Sequence, residues 1–129
     1  MKADDLLALL SGNDMISLQL PLNSDTHYML NASVLPCIRK GAYLLNMSRG
    51  GLIDETPLAA FMQQHPGWIS GVALETFETE REPFYSPSQE SEYALLTPHI
   101  AGTTETALLT SALRVHQGIL SRLAAGAEK

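Results

Sequence analysis

Arg49 in the run Ser48-Arg49-Gly50-Gly51, the acids Glu75, Glu78 and Glu80, and His99 in Pro98-His99-Ile100-Ala101-Gly102 are the side chains of this chain best suited to chemistry. A guanidinium grips a carboxylate through two parallel N–H···O bonds and polarises a neighbouring carbonyl. A histidine with a near-neutral pKa donates or accepts the proton of a hydroxyl. A carboxylate beside that histidine orients it and favours its protonated form. Together the three types suit proton transfer on a small organic acid. Singly, each also has an ordinary use: an arginine in a surface ion pair, a glutamate as a solvated charge, a histidine satisfied within a loop. What lifts them above those uses is position, because each follows an apolar run of strand length.

Those runs are Met15-Ile16-Ser17-Leu18-Gln19-Leu20, Ala42-Tyr43-Leu44-Leu45-Asn46-Met47, Trp68-Ile69-Ser70-Gly71-Val72-Ala73-Leu74 and Tyr93-Ala94-Leu95-Leu96-Thr97. Pro21 stops the first and Pro98 the last. Between them the spacing turns helical. Leucines at 6, 7, 9 and 10 predict a short helix over residues 3–11, ended by Ser11-Gly12. A short helical turn is expected over residues 32–39. Leu58, Phe61 and Met62 supply the core face of a further helix, capped by Asp54 or Thr56, with Pro57 in its first turn and Pro66-Gly67 at its end. From Thr103 to about Ala125, Leu109, Ala112, Leu113, His116, Ile119, Leu120 and Leu123 form one stripe of a long helix. Residues 78–93, rich in Glu, Ser and Pro, read as a loop. Strands alternating with helices imply βα units in a parallel sheet, and nearly continuous apolar strands imply that both sheet faces are covered. Such sheets bind ligands beyond the carboxyl ends of their strands, where Arg49, Glu80 and His99 converge.

Composition narrows the classes further. The length of 129 residues fits a single domain, and 45% hydrophobic with 17% charged residues is globular rather than disordered. A net charge of −6 repels phosphate backbones, which argues against nucleic acid as a partner. No stretch approaches the roughly 20 apolar residues of a membrane span, and the acidic start is unlike a signal peptide. One cysteine, Cys37 in an apolar setting, forms no internal disulfide; it reads as a small buried hydrophobe in a reducing cytoplasm. A Ser48–Asp54–His99 hydrolase lacks a Gly-x-Ser-x-Gly elbow. His27, His65, His99 and His116 show no metal-ligand spacing, so no metal is expected.

Three stretches in fixed order resemble the NAD-dependent D-2-hydroxyacid dehydrogenases, the group of phosphoglycerate, glycerate and D-lactate dehydrogenases. They are Ser17-Leu18-Gln19-Leu20-Pro21-Leu22 with Thr26, then Leu45-Asn46-Met47-Ser48-Arg49-Gly50-Gly51-Leu52-Ile53-Asp54-Glu55, then Gly71-Val72-Ala73-Leu74 through Glu80 to Thr97-Pro98-His99-Ile100-Ala101-Gly102. The resemblance covers residues 5–125 or so. It implies an α/β, partly Rossmann-like domain of about four mainly parallel strands, flanking helices and a long C-terminal helix. It implies that Arg49 binds the substrate carboxylate and carbonyl, that His99 is the acid–base residue, and that Glu80 hydrogen-bonds His99. Pro21 and Thr26 would line the adenosine and ribose of NAD or NADP, with Ser48, Glu75 and Gly102 near the nicotinamide.

The pattern is departed from at two points. The family usually carries aspartate where Glu75 stands, and the extra methylene extends that carboxylate by about 1.5 Å. The family's catalytic glutamate is usually followed by proline, whereas Arg81 follows Glu80 and Glu82-Pro83 comes two residues later; spacing from Glu75 favours Glu80 over Glu82. The Gly-x-Gly-x-x-Gly turn that receives a pyrophosphate is not in this sequence. The expectation is therefore the second half of a nucleotide-binding domain, without its glycine-rich first half and without the substrate domain, and inactive as an isolated chain. Its open strand edge near residues 15–20 and its C-terminal helix point to a homo-oligomer. A half-enzyme completed by a partner chain, and an interaction module that kept the fold and lost catalysis, are the alternatives.

Overall fold

The structure, a computed structural model, describes residues 5–80 and 85–127. In chain order it forms α1 (Leu6–Gly12), β1 (Met15–Leu18), β2 (Ala42–Asn46), α2 (Glu55–Gln64), β3 (Ile69–Leu74), β4 (Ala94–Leu96) and α3 (Glu105–Ala127). Tight 3-10 turns lie at Leu35–Cys37, Gly50–Leu52 and Ala101–Thr103. Two compact units result, one ending at Pro98 and the other starting at His99.

The first unit is built on a four-stranded sheet in the order β1-β2-β3-β4. Every pair is parallel, with Ile16 opposite Leu44, Leu44 opposite Val72, and Val72 opposite Ala94. Those residues point to one face, where Leu10 of α1 and Leu58 and Met62 of α2 close a single core with Leu30, Leu35, Ile38 and Phe77. The helices form where the apolar spacing and caps predict. The Asp5 carboxylate accepts the Leu7 N–H at the start of α1. Asp54 takes the N-cap position of α2 but makes no side-chain cap bond, and Gly67, at φ 75°, turns the chain beyond its end.

The sheet corrects one expectation. Met15, Tyr43 and Leu95 lie on the opposite face and are exposed, Leu95 by 67%. Among the described residues no helix of this unit covers that face, so β1 and β2 alternate buried and exposed residues instead of being buried on both sides. The strands are also shorter than the apolar runs. β1 stops at Leu18, because Pro21 and the turn that follows draw the chain away from β2. Cys37 is half-buried in its 3-10 turn rather than fully enclosed.

The second unit is the Ala101–Thr103 turn and α3. The Thr104 hydroxyl accepts the Ala107 N–H, an N-cap that starts the helix two residues later than the sequence pattern suggests. Leu109, Leu113, Ile119, Leu120 and Leu123 of the apolar stripe are exposed, since this unit contains no second helix to cover them.

Candidate functional site

The carboxyl end of β2 closes on itself through Asn46. This side chain is only 1% exposed; its Nδ2 donates to the Arg49 carbonyl at 2.8 Å and its Oδ1 accepts the Ser48 N–H at 3.2 Å. Arg49 leaves that turn with extended backbone (φ −143°, ψ 138°), exposed, with Nη1 donating to the Ser48 carbonyl at 2.7 Å. The Ser48 hydroxyl donates to the Leu20 carbonyl at 2.6 Å, tying the turn to the segment after β1. There the Thr26 hydroxyl donates to the Pro21 carbonyl at 2.7 Å and accepts the Asn23 N–H at 2.9 Å. Pro21, Thr26, Ser48 and Arg49 thus lie on two linked loops at the same sheet edge.

The loop after β3 abuts them. A Cβ on Gly50 would lie 1.9 Å from the carbonyl carbon of Phe77, so only glycine lets the two backbones meet. Glu75 is 3% exposed; its N–H donates to the Asn46 carbonyl at 3.0 Å, and its Oε2 accepts the hydroxyl of Thr97, just past β4. The Phe77 N–H donates to Glu80 Oε1 at 3.2 Å, folding the exposed Glu80 back over its own loop. The Glu78 carboxylate accepts the Tyr28 hydroxyl, and that hydrogen bond, with desolvation and the charges of Glu78, Asp54 and Glu55, pushes the Tyr28 pKa up to about 12.

The structure therefore brings Arg49, Ser48, Glu75 and Glu80 onto adjoining loops of one unit. His99 and Gly102 belong to the other. His99 sits in the left-handed region at φ 53°, followed by the turn in which the Thr103 N–H donates to the Ile100 carbonyl at 3.0 Å. Arg81, Glu82 and Pro83, which bear on the choice between Glu80 and Glu82, lie outside the described residues. Sequence reasoning passed over Asn46, Glu55 and Tyr28. For Asn46 the available signal was a turn-forming amide at the end of an apolar strand. Among the described residues no group of three or more His, Cys, Asp or Glu side chains is placed to hold a metal ion, and no helix is long and apolar enough to cross a membrane.

With this geometry in place, the comparisons decide the family. Residues 1–101 match the model described as D-isomer specific 2-hydroxyacid dehydrogenase, NAD binding domain. The chain belongs to this family. It is 36% identical over 104 residues to glyoxylate reductase of Thermofilum pendens, covering 81% of this chain but 30% of that protein. A protein of Pyrococcus horikoshii superposes with a TM-score of 0.75 at 31% identity, over 90% of this chain and 34% of its own. D-lactate dehydrogenase from Aquifex aeolicus, solved with NAD and lactic acid, superposes at 0.70 and 27% identity, over 90% of this chain and 40% of its own. The chain thus spans about a third of the length of the relatives it matches.

In this NAD-binding-domain chain, the residues expected to line the dinucleotide already have partners of their own. The hydroxyls of Thr26 and Ser48 are already committed to main-chain carbonyls, and Glu75 to Thr97, so these residues are built as a firm wall rather than as free donors. The Gly-x-Gly-x-x-Gly turn that receives a pyrophosphate is not in the sequence.

Proposed function

We propose that this chain supplies the substrate-acid and proton-handling part of an NAD(P)-dependent 2-hydroxyacid dehydrogenase. Arg49 receives the carboxylate and carbonyl of a 2-keto acid, and His99, assisted by Glu80, exchanges the proton at the 2-oxygen. Pro21, Thr26, Ser48 and Gly102 line the cofactor, with Glu75 backing that wall from its buried side. When bound, the dinucleotide delivers or accepts the hydride at carbon 2. The observation that carries this reading is the Asn46-closed turn in a chain of this family. It presents an exposed guanidinium at a strand end, against the loop that bears Glu80. The lone Cys37 is in keeping with a cytoplasmic setting.

The 129 residues tested alone are expected to turn over no 2-keto acid, because the pyrophosphate turn is not among them. Substrate recognition is a separate matter and is open to direct test. Pyruvate titrated into the isotope-labelled chain should shift the Arg49 Nε–H signal saturably, and lactamide, which lacks the carboxylate, should not. No response to pyruvate, or an equal response to lactamide, overturns the reading. An NADH fluorescence titration adds a second axis. Micromolar binding by this chain supports a half-enzyme whose cofactor site is completed by a partner chain.

A further inference from the structure

Glu55 carries a buried carboxylate that the proposed chemistry does not use. It opens α2, is 5% exposed, and bonds the fully buried Ser86. Glu55 Oε1 accepts the Glu78 N–H at 3.1 Å, and Oε2 accepts the Ser86 hydroxyl at 2.7 Å. The same Ser86 oxygen accepts the Ser88 N–H at 3.2 Å. One carboxylate therefore bonds both Glu78, two residues before Glu80, and Ser86.

A buried carboxylate is costly unless donors surround it. A glutamate serving only the positive end of its helix needs no burial, and it would bond its own helix's first amides. The bonds of Glu55 go elsewhere, to residues 23 and 31 positions further along the chain. The Phe77–Glu78 peptide that it anchors is the surface against which Gly50 packs, one residue from Arg49.

We propose that Glu55 is a positioning residue, a two-ended clamp on the loop after β3. It holds the Phe77–Glu78 peptide against Gly50 and so fixes the direction in which Arg49 leaves its turn. This rests on Arg49 being the carboxylate receptor proposed above, and the test keeps the two apart.

Amide hydrogen exchange and the pyruvate titration are to be run on the full chain with Glu55→Ala and Glu55→Gln. In Glu55→Ala, exchange at Glu78 should quicken about tenfold, the equivalent of one such bond lost, with Leu44 and Val72 of the sheet unchanged. The pyruvate concentration that half-saturates the Arg49 signal should rise by about the same factor. Glu55→Gln should restore both, since its amide oxygen accepts from Glu78 and its NH2 donates to Ser86. Unchanged exchange at Glu78 overturns the clamp. Quickened exchange with an unchanged Arg49 response overturns its positioning role. Should Glu55→Ala fail to fold, Ser86→Ala removes one end of the clamp, and unchanged exchange at both Glu78 and Ser88 overturns it. If the unsubstituted chain ignores pyruvate, the dehydrogenase reading fails, and the clamp is judged on exchange at Glu78 alone.

Discussion

At the scale of single residues, Tyr28 shows how a contact outside the proposed chemistry can shape the loops that carry it. Its φ of 49° is a left-handed conformation that costs a non-glycine residue on the order of 1 kcal/mol. Besides the Asn31 amide that donates to its carbonyl at 2.9 Å, its N–H, ring and hydroxyl all find partners. The Tyr28 N–H donates to the Gly51 carbonyl at 2.8 Å, its ring lies 3.9 Å from that of His27, and its hydroxyl donates to Glu78. A phenol that donates to a carboxylate loses that bond, and gains a like charge, when it ionises. Its pKa accordingly rises to about 12. An ordinary tyrosine ionises near pH 10, so the stabilisation from this hydroxyl is fully present below about that pH and is lost as pH climbs through the folded-state value. Tyrosinate absorbance should therefore show a late step near pH 12 that Tyr28→Phe removes. In Glu78→Gln, where the charge is gone, the same step should move down toward the ordinary value. A late step that persists in Tyr28→Phe would sink this assignment.

At the scale of elements, apolar spacing was enough to locate the four described strands with α1 and α2, because burial on a common core imposes period on sequence; α3 was located by the same spacing, although its stripe is exposed. Arg49 was legible for a similar reason: it follows the apolar run from Ala42 to Met47 that forms β2. What escaped was carried by hydrogen bonds to distant backbone. Glu55 reaches Glu78 and Ser86, and Tyr28 reaches Gly51 and Glu78, and neither pairing leaves a periodic trace. The uncovered sheet face escaped for a different reason. Apolar strands announce burial but do not say which element provides it. Caps make the contrast measurable. Asn46 satisfies two main-chain groups from a buried position, so Asn46→Ala should destabilise the chain by about 1–3 kcal/mol by stranding the Ser48 N–H and the Arg49 carbonyl. Asp54 makes no side-chain bond at the start of α2, and Asp54→Ala should cost no more than about 0.5 kcal/mol. Urea unfolding of the two variants checks the order. Equal losses would mean that the Asn46 bonds do not hold the turn.

At the scale of the whole molecule, each unit leaves apolar surface that its own elements do not cover. In the first, Met15, Tyr43 and Leu95 stand exposed across the sheet, and β1 forms one edge with main-chain groups open on its outer side. In the second, the stripe of α3 from Leu109 to Leu123 is exposed. Contiguous apolar surface and an open strand edge both favour contact with another chain. The net charge of −6 opposes close approach, but at physiological salt charges are screened beyond about 8 Å. The chain on its own is therefore expected to self-associate at micromolar concentration, more strongly as salt is raised, since screening weakens the repulsion and leaves the apolar attraction. Sedimentation velocity on the 129-residue chain measures this directly. Tyr43→Lys and Leu95→Lys place charges on the sheet face without touching its buried side, and Leu113→Glu and Ile119→Glu do the same on α3. Whichever pair returns the chain to monomer identifies the surface that is buried between copies. A monodisperse monomer at every salt concentration would show that neither surface binds a second copy, and would turn the search toward a partner of different sequence.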